Sequence, residues 1–200
     1  MFLPFSPRAK KWEPHALALR SLLRLANSEL LDPWKLAPRV GLTVLDDKRC
    51  KALLKKTGNH VINDGDRLDW SGGVYPRPLP DGTLLCLLNP SHSYRRNKVT
   101  LMEEISHIYL KHLPTRLLVA ANDLEVRDYN SVQELEAYGV GAAALMPWGP
   151  LFRSIDSGAT IEDLAEHYDV TPHLALYRIK ITGAYRLYCA RFRGERGTRN

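Results

Sequence analysis

Between residues 14 and 30 the leucines Leu17, Leu19, Leu22, Leu23 and Leu25 recur near helical spacing, which predicts an amphipathic helix with Pro14 in its first turn. Pro33 and Pro38 break the pattern, residues 40–45 read as a short strand, and a Lys-rich helix runs from Asp47 to about Gly58. Residues 70–75 and 83–88 read as two further strands around the turn signal Asp81-Gly82, so a sheet of about three strands is expected. The second half is helical. Over 99–112, Leu101, Met102, Ile105, Ile108 and Tyr109 share one side, with Glu103, Ser106, His107 and Leu110 on the other. Another helix starts at Ser131, where Ser131 and Glu134 fit a capping box, and Pro147 and Pro150 end it. Its Gly139, Gly141, Ala142, Ala143 and Ala144 suit a face that another element approaches closely, or a run of small core residues. Over 151–190, Thr160 with Asp163, Thr171-Pro172 and Gly183 punctuate a helix-turn-helix pattern, and 191–200 is expected to be a basic, flexible tail.

Composition leaves this picture intact. Of 200 residues, 44% are apolar and 25% charged, values typical of globular chains that exclude collagen-like and disordered classes. The apolar run 140–147 is too short to span a bilayer, and the first 12 residues do not read as a secretory leader, so no membrane partner is expected. Cys50, Cys86 and Cys189 are odd in number and form no C-x-x-C pair, which argues against a disulfide framework or a thiolate zinc site. A cytoplasmic location is the expectation. The net charge of +6 is uneven: residues 1–60 hold 12 basic and 5 acidic groups, 61–150 hold 8 and 11, and 151–200 hold 8 and 6. The basic front is what a solvated helix face looks like, and direct nucleic-acid binding is not favoured.

Candidate chemistry concentrates in Thr100-Leu-Met-Glu-Glu-Ile-Ser-His107. Glu103 and His107 stand four apart on one helical face, where two side chains can grip one ion. Glu104 is rotated about 100° from Glu103 and lies beside them, where a carboxylate can take a proton from water. H-E-x-x-H uses this spacing, with two histidines on zinc and the glutamate as base. Here the run is E-E-x-x-H. Alone, it is equally the ion pair of an exposed helix. A third ligand must come from elsewhere. If Glu134 is occupied in capping, Glu136 is the candidate, close to the small-residue face; a plain surface glutamate is the alternative.

Three segments together resemble the ImmA/IrrE family of metallo-endopeptidases: Asn89 followed by Arg95-Arg96, then Thr100-Leu101 leading to Glu103-Glu104-Ile105-Ser106-His107, then Glu136-Ala137 leading to Leu145-Met146-Pro147. The resemblance is firmest over 89–147 and looser for the C-terminal helices. It implies zinc held by His107 and Glu136, with Glu104 as the base that activates water against a peptide carbonyl. It also implies a DNA-binding helix-turn-helix repressor as the protein substrate. Glu103 departs from the family's first histidine, Ser106 from its usual glycine, and Val140-Gly141 from its Phe-Ala. A carboxylate for an imidazole adds a negative charge to the ligand set, weakens the metal as a Lewis acid, and admits Mn2+ or other divalent ions beside Zn2+.

The expected fold is α+β, a zincin-like domain over 1–150 with a helix-turn-helix-like unit over 151–190 and a tail over 191–200. The expected activity is metal-dependent endopeptidase, with Glu103, His107 and Glu136 on the metal and Glu104 as base. The alternative is a catalytically degenerate regulator that binds a protein or DNA without cleavage. The helix from Thr171 opens with Pro172-His-Leu-Ala and offers Arg178 and Lys180 only later, which suits docking better than DNA reading. His112 reads as a helix-end histidine, since its helical position is about 140° from His107. Tyr138, His92, Arg95 and Arg96 are weaker candidates for substrate contact, Cys86 reads as core, and Trp12, Trp34, Trp70 and Trp148 read as packing residues.

Overall fold

In the computed structural model, which describes residues 3–45, 48–49, 71–75, 77–112, 119–120, 123–124 and 131–197, Ser6 and Pro7 open the first helix. The elements are α1 (Pro7–Ser21), α2 (Pro33–Leu36) running into a 3-10 turn (Ala37–Val40), β1 (Leu42–Val44), β2 (Gly72–Tyr75), β3 (Leu84–Leu88) and α3 (Tyr94–Tyr109). After these come β4 (Val119–Ala120), β5 (Asp123–Leu124), α4 (Ser131–Leu145), α5 (Trp148–Asp156), α6 (Ile161–His167), α7 (Pro172–Ile181) and α8 (Tyr185–Gly197). The architecture is α+β, helix-rich with a small sheet. All but two residues of the expected Lys-rich helix, and Trp70, lie outside the described residues.

The chain divides into two compact units, one of Met1–Asp32 with Tyr138–Asn200 and one of Pro33–Ala137. Residue 150, the boundary expected from the sequence, lies inside α5. In the Pro33–Ala137 unit the sheet has the order β1-β3-β2. β1 runs parallel to β3 with Leu42 opposite Leu84, and β2 runs antiparallel to it with Gly72 opposite Leu88. The strand expected from residue 40 starts at Leu42, because Val40 closes the 3-10 turn and Gly41 reverses the chain at φ 76°. The Asp81-Gly82 turn forms as expected: Gly82 is left-handed, and Asp81 Oδ1 accepts from the Thr83 backbone N–H (3.0 Å) and hydroxyl (2.8 Å).

α3 packs on this sheet through the apolar side read from the sequence. Leu101, Met102 and Ile105 are fully buried, with Leu88 and Cys86 of β3 also in the core. Its first turn extends back to Ser93, whose hydroxyl accepts from the Arg96 N–H. Ser106 is buried and its hydroxyl donates to the Met102 carbonyl at 2.7 Å, which satisfies a polar group at a position deep in the packing. A Cβ on Gly72 would stand 2.7 Å from Thr100 Cγ2, so the glycine is what lets edge strand β2 lie against α3.

The other unit is helical. Pro14, expected at the start of α1, sits inside it, and the helix ends at Ser21 although the leucine pattern continues. Arg24 turns left-handed at φ 57° and the Leu25 N–H returns to the Arg20 carbonyl, after which the Arg20 guanidinium donates to the carbonyls of Ala26 (2.6 Å) and Glu29 and holds the following residues in turns. Trp12 of α1 lies on Gly139 of α4, where an added Cβ would fall 2.2 Å from the indole ring. The small-residue face is thus a close-approach face. Gly139→Ala is expected to lower stability by about 1–3 kcal/mol despite alanine's better helix propensity, read as a lower urea midpoint. Thr160 and Asp163 cap α6 reciprocally at 3.0 and 2.9 Å, Asp169 turns at φ 51°, Thr171 caps α7, and Gly183 follows it at φ 81°. α8 runs to Gly197 and takes in most of the stretch expected as a flexible tail. Among the described residues no helix is long and apolar enough to cross a membrane.

Candidate metal centre

Helical spacing brings the first two polar groups together. Glu103 and His107 lie one turn apart on α3, and the first turn of α4 supplies Glu134. Each of Glu103, His107 and Glu134 offers a donor atom within 4.8 Å of the others, and His107 Nε2 stands 3.6 Å from Glu134 Oε2. All three side chains are half-buried. Glu104, the next residue on α3, is half-buried beside them and acts electrostatically on Glu103.

Burial and like charge set the protonation of the cluster. The Glu103 carboxyl is pushed up to about 8, first by burial and then by the negative charges of Glu104 and Glu134. Burial holds the His107 imidazole below its ordinary value, His112 adds to the effect, and Glu134 opposes it. The imidazole is therefore neutral at neutral pH, the form that can ligate a cation. Glu104 and Glu134 bring negative charge to Glu103, and a divalent cation would neutralise it together with that of an ionised Glu103. One nitrogen and two oxygen donors fit Zn2+ or Mn2+.

Of the residues singled out from the sequence, Glu103, Glu104 and His107 come together. Glu136 is placed differently, with its Oε2 3.2 Å from His112 Nε2. His112 in turn stands 3.1 Å from His107, Nδ1 to Nδ1, with the two rings 5.0 Å apart and nearly perpendicular. Tyr138 packs edge-to-face on Tyr177, and Arg96 donates to Ser71. His92 lines a cavity of about 360 Å³ with Trp34, Val44, Leu45, Leu88, Tyr94 and Asn97.

Two members of the constellation escaped sequence reasoning. The sequence offers Glu134 as a capping partner of Ser131, but α4 begins at Ser131 itself, and the Glu134 carboxylate turns to His107. His112 was placed by helical geometry, which stops applying before it. α3 ends at Tyr109, Lys111 adopts φ 57°, and the N–H groups of Lys111 and His112 return to the carbonyls of Ile108 (3.1 Å) and His107 (3.0 Å). This Schellman turn folds His112 back over His107. The readable signal is a His a few residues past a helical His, beyond the point where the helix stops.

No curated protein matches the chain. The Peptidase M78 profile, described as the IrrE N-terminal-like domain, matches residues 66–180, more than half of the chain and the whole stretch that carries Glu103, Glu104, His107, Glu134 and Glu136. With its cluster on α3 and α4 inside that match, the chain belongs to the Peptidase M78 family of IrrE N-terminal-like domains.

Proposed function

We propose that the protein is a zincin-like, metal-dependent endopeptidase in which Glu103, His107 and Glu134 hold a divalent cation, Zn2+ or Mn2+, and Glu104 is the general base. Family membership supports the coarser statement, a metallopeptidase-type function on protein substrates with a divalent metal. The observation that carries the finer reading is the convergence of one imidazole and two carboxylates within 4.8 Å, from a turn of α3 and the first turn of α4. A cation bound there supplies Lewis acidity, polarising the scissile carbonyl and acidifying water. The chain's own part is to place and move protons. His107 with its neutral ring and the carboxylates of Glu103 and Glu134 would hold the cation, and Glu104 would take the proton of the attacking water and pass it to the departing amine.

The substrate would lie as an added strand along the exposed edge of the sheet. The substrate class implied by the family resemblance is a helix-turn-helix repressor. Direct DNA reading by α7 finds little support, because Arg178 is fully buried and bonded within the fold.

The test is cation content and its pH dependence. Protein purified without chelator is expected to hold one divalent ion per chain, lost in Glu103→Ala, His107→Ala and Glu134→Ala variants. In the metal-free protein Glu103 is protonated up to about 8, against 4.5 for the free side chain. The stability this contributes is complete below 4.5 and is lost as pH rises toward about 8. A cation, which binds the deprotonated form, should therefore raise the melting temperature more on the alkaline side of about 8 than at neutral pH. A chain that takes up no ion at any pH would end this reading.

A further inference from the structure

Behind the cation cluster, Glu136, His112 and His107 form a hydrogen-bonded chain, whose polarity follows from its carboxylate end when His112 is neutral. A carboxylate only accepts, so Glu136 Oε2 receives the proton of His112 Nε2 at 3.2 Å. With His112 neutral, its ring has that one N–H, and Nδ1 is then a lone pair that accepts from His107 Nδ1–H at 3.1 Å. His107 is left with its lone pair on Nε2, the atom facing Glu134. We propose that His112 and Glu136 are positioning residues that lock His107 in the tautomer able to ligate a cation through Nε2. This deepens the reading of Glu103, His107 and Glu134 as a cation site and rests on it.

The arrangement is built rather than incidental. The His112 side chain is only 7% exposed, so water competes little for its nitrogens, and the Schellman turn at Lys111 fixes where its ring sits. The competing arrangement has the proton on His107 Nε2, donated toward Glu134 Oε2. That arrangement makes an ion pair or hydrogen bond of the cluster and closes the nitrogen to a metal. The relay excludes it by taking the His107 proton on the opposite ring nitrogen. Glu136 thereby acts on the site through His112.

Long-range 1H–15N spectra of the metal-free 200-residue chain, recorded at a pH where both histidines are neutral, read the tautomers directly. His107 is expected to show a protonated Nδ1 and a bare Nε2, and His112 the reverse. His112→Phe keeps the ring but cannot accept, and should weaken Zn2+ binding by about 10–100-fold and release His107 into the other tautomer. His112→Gln, whose amide accepts from His107 and donates to Glu136, should retain most of the affinity and the Nδ1–H form. Glu136→Ala should randomise the His112 tautomer. A bare Nδ1 on His107 in the parent protein, or a His112→Phe variant that binds Zn2+ as tightly as the parent, overturns the proposal. If His112→Phe does not fold, the parent spectrum alone decides. If the parent binds no Zn2+ yet shows the expected tautomers, the cation reading fails while the relay stands.

Discussion

Glu104→Gln should leave the protein folded and able to bind its cation, while peptide-bond cleavage falls by about 100- to 10,000-fold. The amide matches the carboxylate in shape, so the packing of α3 is kept, but it cannot take the proton of attacking water. Loss of the charge also has a predictable sign on Glu103. Glu104 is one of the groups that raise the Glu103 carboxyl, so its neutralisation should let Glu103 ionise at lower pH. A catalytic base would thus reveal itself by cleavage lost while the cation is still bound. The measurement is mass-spectrometric cleavage of a peptide library with added Zn2+ or Mn2+, beside a cation titration of the same preparations. Undiminished cleavage by Glu104→Gln would remove this residue from the mechanism. A parent protein that binds one ion and cleaves nothing would favour the non-catalytic regulator, in which a carboxylate at position 103 leaves a cation too weak an acid for hydrolysis.

Local pattern carried much of the fold. The α3 apolar face, the Asp81-Gly82 turn and the Thr160–Asp163 cap all depend on residues a few positions apart, and each formed as read. The α1 boundaries did not, because Ser6-Pro7 is a stronger start than Pro14, and because the left-handed turn at Arg24 closes the helix before the leucine pattern ends. In the site, spacing joined Glu103, Glu104 and His107 on one helix. It could not decide between Glu134 and Glu136, two residues and about 200° apart on α4. That choice depends on how α4 faces α3 within the Pro33–Ala137 unit, which no short window of sequence contains. His112 is a helix-end histidine, as expected, but its angle from His107 does not hold, because a left-handed Lys111 ends the periodicity on which angular reasoning relies.

Least legible was a buried ion pair whose loss should cost the most stability. Glu13 of α1 is 2% exposed and Arg178 of α7 is 0% exposed, and Arg178 Nη2 donates to Glu13 Oε2 at 2.9 Å. They lie 165 residues apart, and each reads in sequence as an ordinary surface charge. Their remaining bonds explain their burial. Glu13 Oε1 accepts from the Trp148 N–H, which opens α5, and Arg178 Nε donates to the Met146 carbonyl (3.1 Å), which follows α4. Pro147 between them belongs to neither helix interior and leaves these backbone groups without intrahelical partners. Arg20 acts alike on the Ala144 carbonyl at 2.8 Å, so two buried cations meet the negative end of α4. Glu13→Ala strands both a buried guanidinium and the Trp148 N–H, and is expected to cost about 3–5 kcal/mol, a large share of the roughly 5–15 kcal/mol by which domains are stable. Glu13→Leu combined with Arg178→Met removes both charges, and in many proteins such a swap is close to neutral. Here it should still cost about 1–3 kcal/mol for each orphaned backbone group. Urea unfolding of the two single variants and the double variant separates the cases. Full recovery in the double variant would mean that the pair serves only its own charges, and incomplete recovery that it closes the break between α4 and α5.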